Sequence, residues 1–161
     1  YRRCGKDSPE HIGYLRRVIE EYPNCKSNHM ALTQLGYANY RQGRLQATID
    51  TYEKLFQWGE AEAERFKHSA IVRVPDLHRP AMMLSKANEA LDETELALKY
   101  ARLARDKHRY RSFCGTGYQQ HLQSVSDHVK RLESRLESQR RLTSEVKNDT
   151  PDPIAFPLEP F

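Results

Sequence analysis

Two neighbouring segments between residues 30 and 56 carry apolar residues at helical spacing. Intervals of three and four residues place such side chains on one face of a helix. Gly43 separates the segments, and glycine readily adopts the left-handed backbone that ends a helix. Because the connection is only about three residues long, we predict that the two helices pack antiparallel. The apolar positions are Leu32, Leu35, Ala38, Tyr40, Leu45, Ile49, Tyr52, Leu55 and Phe56.

A similar pattern recurs between residues 81 and 105. Leu84 and Ala87 mark a first helix, and Asp92-Glu93 supplies a turn. Small and apolar residues then follow at the spacing of a second helix, at Ala97, Leu98, Ala101 and Ala104. We therefore predict a second hairpin with the geometry of the first.

A capping serine and several prolines mark the limits of the segments that flank the hairpins. Ser8-Pro9-Glu10 is typical of a helix N-terminus, and the helix that it predicts ends at Tyr22-Pro23-Asn24. Residues 57–79 do not continue the pattern, since Pro75 and Pro80 interrupt them, and we expect an irregular insertion there. Within it, Glu60–Phe66 can extend the preceding helix, and Pro80 can equally stand at the first position of the next.

The last third of the chain predicts one long helix and a tail. Residues 118–146 contain no Gly or Pro, and an apolar seam runs through Leu122, Val125, Val129, Leu132 and Leu136. Two heptads favour a helix that caps the last hairpin over a coiled coil, which needs about three or four. Residues 148–161 hold four prolines and the apolar residues Ile154, Phe156, Leu158 and Phe161. An extended segment that docks on a partner subunit is the prediction here, and folding back along its own groove is the alternative.

The hairpin over residues 30–56 resembles the tetratricopeptide repeat. The resemblance lies in Leu35-Gly36, Tyr40, Gly43, Ile49 and Tyr52, with Thr48 and Ser85 departing from the family pattern. It implies an all-α, short helical-repeat solenoid over residues 1–111, in which small Gly36 lets Tyr52 fill the space between paired helices. It also implies a concave binding face lined by first-helix side chains, here Thr33, Tyr37, Asn39, Tyr40 and Asn88.

The upstream helix resembles the second helix of a further repeat. Its Glu-Tyr-Pro-Asn ending is similar to repeats of bacterial envelope proteins such as the outer-membrane assembly lipoproteins. That similarity implies a bacterial cell-envelope or periplasmic location. The chain begins without Met at Tyr1-Arg2-Arg3-Cys4, and we interpret it as processed or truncated.

Charge is uneven along the chain although the net charge is only +4. Residues 102–147 carry 11 Lys/Arg against 5 Asp/Glu, and residues 148–161 carry three acids and no base. The region 112–147 is therefore a long basic helix followed by an acidic tail. Lys107-His108-Arg109-Tyr110-Arg111 is the best candidate for nucleic acid, because cations can contact phosphates while Tyr110 stacks. A helix end whose cations complement the dipole is the preferred interpretation.

The sequence shows no catalytic or metal-binding motif. Its three cysteines form no CxxC pair; a Cys4–Cys25 bridge and free thiols both stay open. Seven histidines form no zinc signature, and we expect them to be solvent-exposed. We expect no enzyme, cofactor, metal, small-molecule substrate or membrane span, but a protein-binding scaffold or accessory subunit of a larger assembly. The alternative is a nucleic-acid-contacting repeat protein that uses the basic stretch 102–141.

Overall fold

The structure is a computed structural model that describes residues 8–23, 25, 27–65, 76–108 and 117–148. In these ranges all regular elements are helices and no strand occurs, which agrees with the all-α prediction. The helices are α1 (Pro9–Glu21), α2 (Ser27–Arg41), α3 (Leu45–Arg65), α4 (His78–Ala90), α5 (Thr94–Arg102) and α6 (Gly117–Asn148). A π-helical turn over Leu103–Lys107 continues α5.

The first helix begins where its capping signal predicted. Ser8 is the N-cap, and its hydroxyl oxygen accepts a hydrogen bond from the His11 amide at 3.2 Å. Pro9 occupies the first helical position, where a missing N–H is tolerated. Ile12 and Leu15 are buried and pack towards Leu35 and Ala38 of α2, so α1 joins the array through its apolar stripe.

The helices form a linear array in which each one packs on its neighbours in the chain. Side chains of α4 bond side chains of α6, and Tyr37 of α2 faces the same groove as α4 and α6. The first helices of the hairpins and α6 therefore form one layer, and α3 and α5 form the other.

The two hairpin turns are built alike. Gly43 has a φ of +70° and Asp92 a φ of +66°, both in the left-handed region. The next amide donates to a buried asparagine carbonyl in each case: Arg44 to Asn39 at 3.0 Å and Glu93 to Asn88 at 2.9 Å. The predicted hairpins over 30–56 and 81–105 are thus both present and share one turn geometry.

Gly36 marks the closest approach of α2 and α3. A Cβ atom at this position would lie 2.7 Å from Cε2 of Tyr52, closer than van der Waals radii allow. The Tyr52 ring is fully buried, and its hydroxyl donates to the Thr33 carbonyl at 3.3 Å. Tyr52 therefore fills the space between the paired helices.

The segment 57–79, predicted as an irregular insertion, is helical at both of its ends. Helix α3 continues to Arg65, and α4 already begins at His78, so Pro80 is its third residue rather than its first. Leu77 is 1% exposed and packs against Gly59, whose absent side chain makes room for it. Residues 66–75 lie outside the described residues.

The apolar seam of α6 packs on α5. Val129 and Leu132 are fully buried against Ala97, Leu98 and Ala101, with Leu136 at the edge of the cluster. The seam is therefore occupied within the chain, as expected of a capping helix.

The tail predicted for 148–161 lies outside the described residues beyond Asn148. Among the helices described, none is both long enough and apolar enough to cross a membrane.

Candidate functional site

A groove of about 1300 Å³ runs along the layer formed by α2, α4 and α6. One side chain of α2 lines it, and α4 and α6 supply the remaining walls. The side chains that give the groove its chemistry are Tyr37, Arg79, Met82, Met83, Lys86 and Arg131.

The groove combines apolar surface with positive charge. Met82 and Met83 are half-buried, whereas Tyr37 is 51% exposed at the edge. Three permanent cations line the groove, namely Arg79, Lys86 and Arg131, and Asp127 is its one lining carboxylate among the described residues. Methionine side chains are flexible and polarisable, so such a floor adapts to apolar groups of different shape.

The side chains predicted to line the concave face lie in different surroundings, and some of them are buried. Tyr37 lines the groove. Asn39 is only 2% exposed, and its side-chain amide faces the Ala47 carbonyl at 3.4 Å and the Thr51 hydroxyl at 3.5 Å. Asn88 is also 2% exposed and donates to the Leu84 carbonyl at 2.8 Å. Both asparagines are held inside the hairpins, so their side chains are not presented to a partner.

Thr33 and Tyr40 are not among the residues that line the groove. Thr33 is half-buried, and its hydroxyl donates to the His29 carbonyl at 2.8 Å. Tyr40 is half-buried near the end of α2. The four apolar tail residues, Ile154, Phe156, Leu158 and Phe161, lie outside the described residues, and their role stays a prediction.

A row of polar contacts joins α4 and the turn after it to α6, and four of the residues involved line the groove. We call it the α4–α6 seam: His78 with His121, Ser85 with His128, Glu89 with Arg131, and Asp92 with Arg135. Partner numbers rise together along both helices, so α4 and α6 run in the same direction. On the other side of α6, Arg102 pairs with Glu133 and Glu95 with Arg140, the order expected of antiparallel α5 and α6.

The first contact of the seam is a pair of imidazoles. His78 is 2% exposed, and its Nδ1 lies 3.1 Å from the Ala104 carbonyl and 2.9 Å from the His108 carbonyl. Because carbonyl oxygens only accept hydrogen bonds, this Nδ1 carries a proton. The Nε2 atom of His78 lies 2.7 Å from Nε2 of His121. The π-helical turn after α5 therefore orients a ring that reaches α6.

The second contact fixes the protonation of another imidazole. The Ser85 hydroxyl donates its one proton to the Ala97 carbonyl at 2.8 Å, so it accepts from Nε2–H of His128 at 2.8 Å. The Nδ1 atom of His128 then accepts from Arg131 at 2.9 Å. Arg131 also pairs with Glu89 at 3.0 Å. This chain of hydrogen bonds connects α5, α4 and α6.

Burial lowers the pKa of two histidines of the seam, His121 and His128. Desolvation, followed by the nearby charge of His78 and Lys86, lowers the pKa of His121. Desolvation also lowers the pKa of His128, although Glu89 opposes the shift. The expectation that the histidines are solvent-exposed is thus wrong for His78 and His128, which are 2% and 9% exposed. The available signal was spacing, since His78 and Ser85 lie seven residues apart, as do His121 and His128.

The described residues contain no group of three or more side chains suited to hold a metal ion. The imidazoles of the seam instead bond other protein groups. Cys25 is exposed, while Cys4 and Cys114 fall outside the described residues, so the disulfide alternatives stay open.

The basic stretch is largely neutralised by its neighbours. Each arginine that the structure describes between residues 102 and 141 lies against a carboxylate, and Lys107 pairs with Glu60 at 2.5 Å. The arginine pairs are Arg102–Glu133, Arg105–Asp106, Arg131–Glu89, Arg135–Asp92, Arg140–Glu95 and Arg141–Glu137. The surface of α6 therefore alternates in charge and forms no continuous positive stripe over these residues. Part of the cluster 107–111 lies outside the described residues.

No family model, curated protein or solved structure matches this chain. The groove and the side chains that line it therefore carry the functional evidence.

Proposed function

We propose that the protein is a non-catalytic interaction scaffold, an accessory subunit that binds an extended segment of a partner protein in the groove. The observation that carries this proposal is a groove of about 1300 Å³ that spans three helices of one layer and joins apolar to cationic side chains. A tetratricopeptide-like array fits this role, because stacked helix pairs offer a long face to an extended ligand.

The groove chemistry defines the kind of segment that binds. Met82, Met83 and Tyr37 offer contacts to apolar side chains. The cations Arg79 and Lys86 are exposed, and opposite charges across an interface select partners and speed their encounter. The proposed ligand is therefore a segment in which acidic residues flank one or more large apolar residues.

Ion pairing argues against the nucleic-acid alternative. A phosphate backbone must displace the carboxylates that hold the arginines of 102–141, since each described one is already paired. The pairs are exposed, so each contributes little to stability, but together they reduce the positive potential that attracts nucleic acid.

Three labelled probes test the proposal: a pool of acidic-apolar peptides, a matched pool with Lys replacing the acids, and a single-stranded oligonucleotide. We expect the chain to bind the acidic pool at least about tenfold more tightly than the basic pool. Lys86→Glu should weaken that binding about tenfold. Lys130→Glu is the matched control, because Lys130 is an exposed α6 residue outside the groove lining, and it should leave binding unchanged.

Two outcomes contradict the proposal. Equal binding of the two peptide pools would show that the groove does not select acidic segments. Tight oligonucleotide binding that Lys130→Glu weakens as much as Lys86→Glu would favour the nucleic-acid alternative. Circular dichroism of each variant checks that the helices are retained.

A further inference from the structure

His121 holds the beginning of α6 by a polar contact. Among the described residues of α6, fully buried apolar side chains begin at Val125, two turns after the helix starts. His121 lies one turn before Val125, and its ring packs on that of His78 with the centroids 4.9 Å apart. The pair of imidazoles is therefore a polar attachment of this first part of α6 to α4.

The geometry allows a single proton between the two rings. Nδ1 of His78 is committed as a donor to two carbonyls. In the neutral pair, Nε2–H of His121 donates to Nε2 of His78 across 2.7 Å. One added proton still leaves a donor facing an acceptor. A second added proton places two N–H groups and two positive charges against each other, and the contact cannot persist.

We propose that the His78–His121 pair is a proton-controlled latch, which holds the first turns of α6 on α4 and releases them when both rings are charged. The inference stands on the pair itself and does not depend on what the groove binds. Because His121 also lines the groove, release would move part of one groove wall.

The surroundings set the direction of the switch. Lys86 and Arg79 extend from α4, and Asp127 and His128 follow along α6. The backbone carbonyl of His108 closes the far side of His78, and Asp76 and Glu60 lie close enough to His108 to favour the charged form of the His108 ring. Burial and the cation Lys86 oppose charging of His121, so release requires acid below the ordinary titration range of histidine, about pH 6.5.

Amide hydrogen exchange of the full chain tests the latch. Exchange is compared at about pH 7.5 and about pH 5 after correction for intrinsic rates, with α2 and α3 as the internal reference for global unfolding. We expect protection over residues 121–124, whose amides bond within the first turns of α6, to fall at least about tenfold relative to that reference. Protection over 129–136 should change less, since apolar packing holds that part of α6.

His121→Gln separates the latch from other acid effects. A glutamine amide can donate to His78 as Nε2–H does but does not titrate, so protection should persist at both pH values, changing less than about twofold. His11→Gln is the matched control, because it removes an imidazole from α1 at the other end of the array, and it should behave like wild type. Unchanged protection in wild type at acid pH, or an equal loss in His121→Gln, would overturn the proposal.

Ring nitrogen spectra of the wild-type chain at neutral pH give a measurement that requires no variant. They should show a proton on Nδ1 of His78 and on Nε2 of His121. Any other pair of tautomers would overturn the inference.

Discussion

Replacing Gly36 with leucine should destabilise the fold through its contact with Tyr52. The first added atom already lies 2.7 Å from Cε2 and 2.8 Å from Cζ of that ring. The ring is fully buried and its hydroxyl is bonded to the Thr33 carbonyl of α2. It cannot withdraw without losing this hydrogen bond and disturbing the core around Leu55.

The size of the effect follows from two opposing terms. Overpacking of a core contact costs about 1–3 kcal/mol, and the upper end applies to a ring that cannot move. Leucine in place of glycine returns up to about 1 kcal/mol through helix propensity. We therefore expect a net loss of about 2 kcal/mol in the free energy of unfolding, or about 4–8 °C in Tm.

Urea unfolding followed by circular dichroism measures this loss, and Gly13→Leu is the matched control. Gly13 lies within α1, and a Cβ there would meet nothing within 4 Å. The control should be neutral or slightly stabilising, since it changes helix propensity alone. If Gly36→Leu keeps the wild-type midpoint, or if both variants lose the same stability, the assigned close approach of α2 and α3 is incorrect.

Two further predictions concern pH and the tail. Burial lowers the folded-state pKa of His108, His121 and His128; the unfolded chain therefore binds more protons below about pH 6.5, and stability to urea should fall as pH drops from about 7 to about 5. A urea midpoint that rises as the pH drops from about 7 to about 5 would contradict the lowered pKa values of these histidines. Deleting residues 151–161 should leave helix content and Tm nearly unchanged but weaken association with the native partner in pull-down assays. A large drop in Tm with association intact would instead favour the tail folding back on its own groove.

Local signals explain why the hairpins were predictable. A left-handed glycine at 43, a capping serine at 8 and the three-to-four spacing of apolar residues act over a few residues each. The same holds for α6, predicted over 118–146 and observed over Gly117–Asn148. The left-handed backbone at Asp92 could not be predicted in this way, because an aspartate there takes the conformation that Gly43 adopts in the first hairpin.

Ser85 departs from the tetratricopeptide pattern, and its contacts with the neighbouring helix explain why. Ser85 is the counterpart of Gly36, and Ala101 is the counterpart of Tyr52, when the two hairpin turns are matched. The second hairpin therefore carries a small residue where the first carries a large ring, so a serine is accommodated. Its hydroxyl bonds the Ala97 carbonyl, a contact that no spacing of apolar residues indicates.

The positions that line the groove were the least predictable part of the fold. Which face of α2 and α4 looks into the groove depends on how the hairpins stack, and that information lies in contacts between distant segments. Asn39 and Asn88 were assigned to the concave face as first-helix residues of a tetratricopeptide-like repeat, yet both are buried, and their backbone carbonyls accept the amides that close the two hairpin turns. The α4–α6 seam likewise joins residues 42 or 43 apart, beyond the reach of helical periodicity.

The linear packing of the array has a mechanical consequence. Each helix contacts mainly its neighbours in the chain, so bending at one junction is weakly resisted by the others. The groove, however, is shared by α2, α4 and α6, helices that are not consecutive. An extended segment lying along it would contact α2, α4 and α6 at once, and would thereby resist bending at the junctions between α2, α3 and α4.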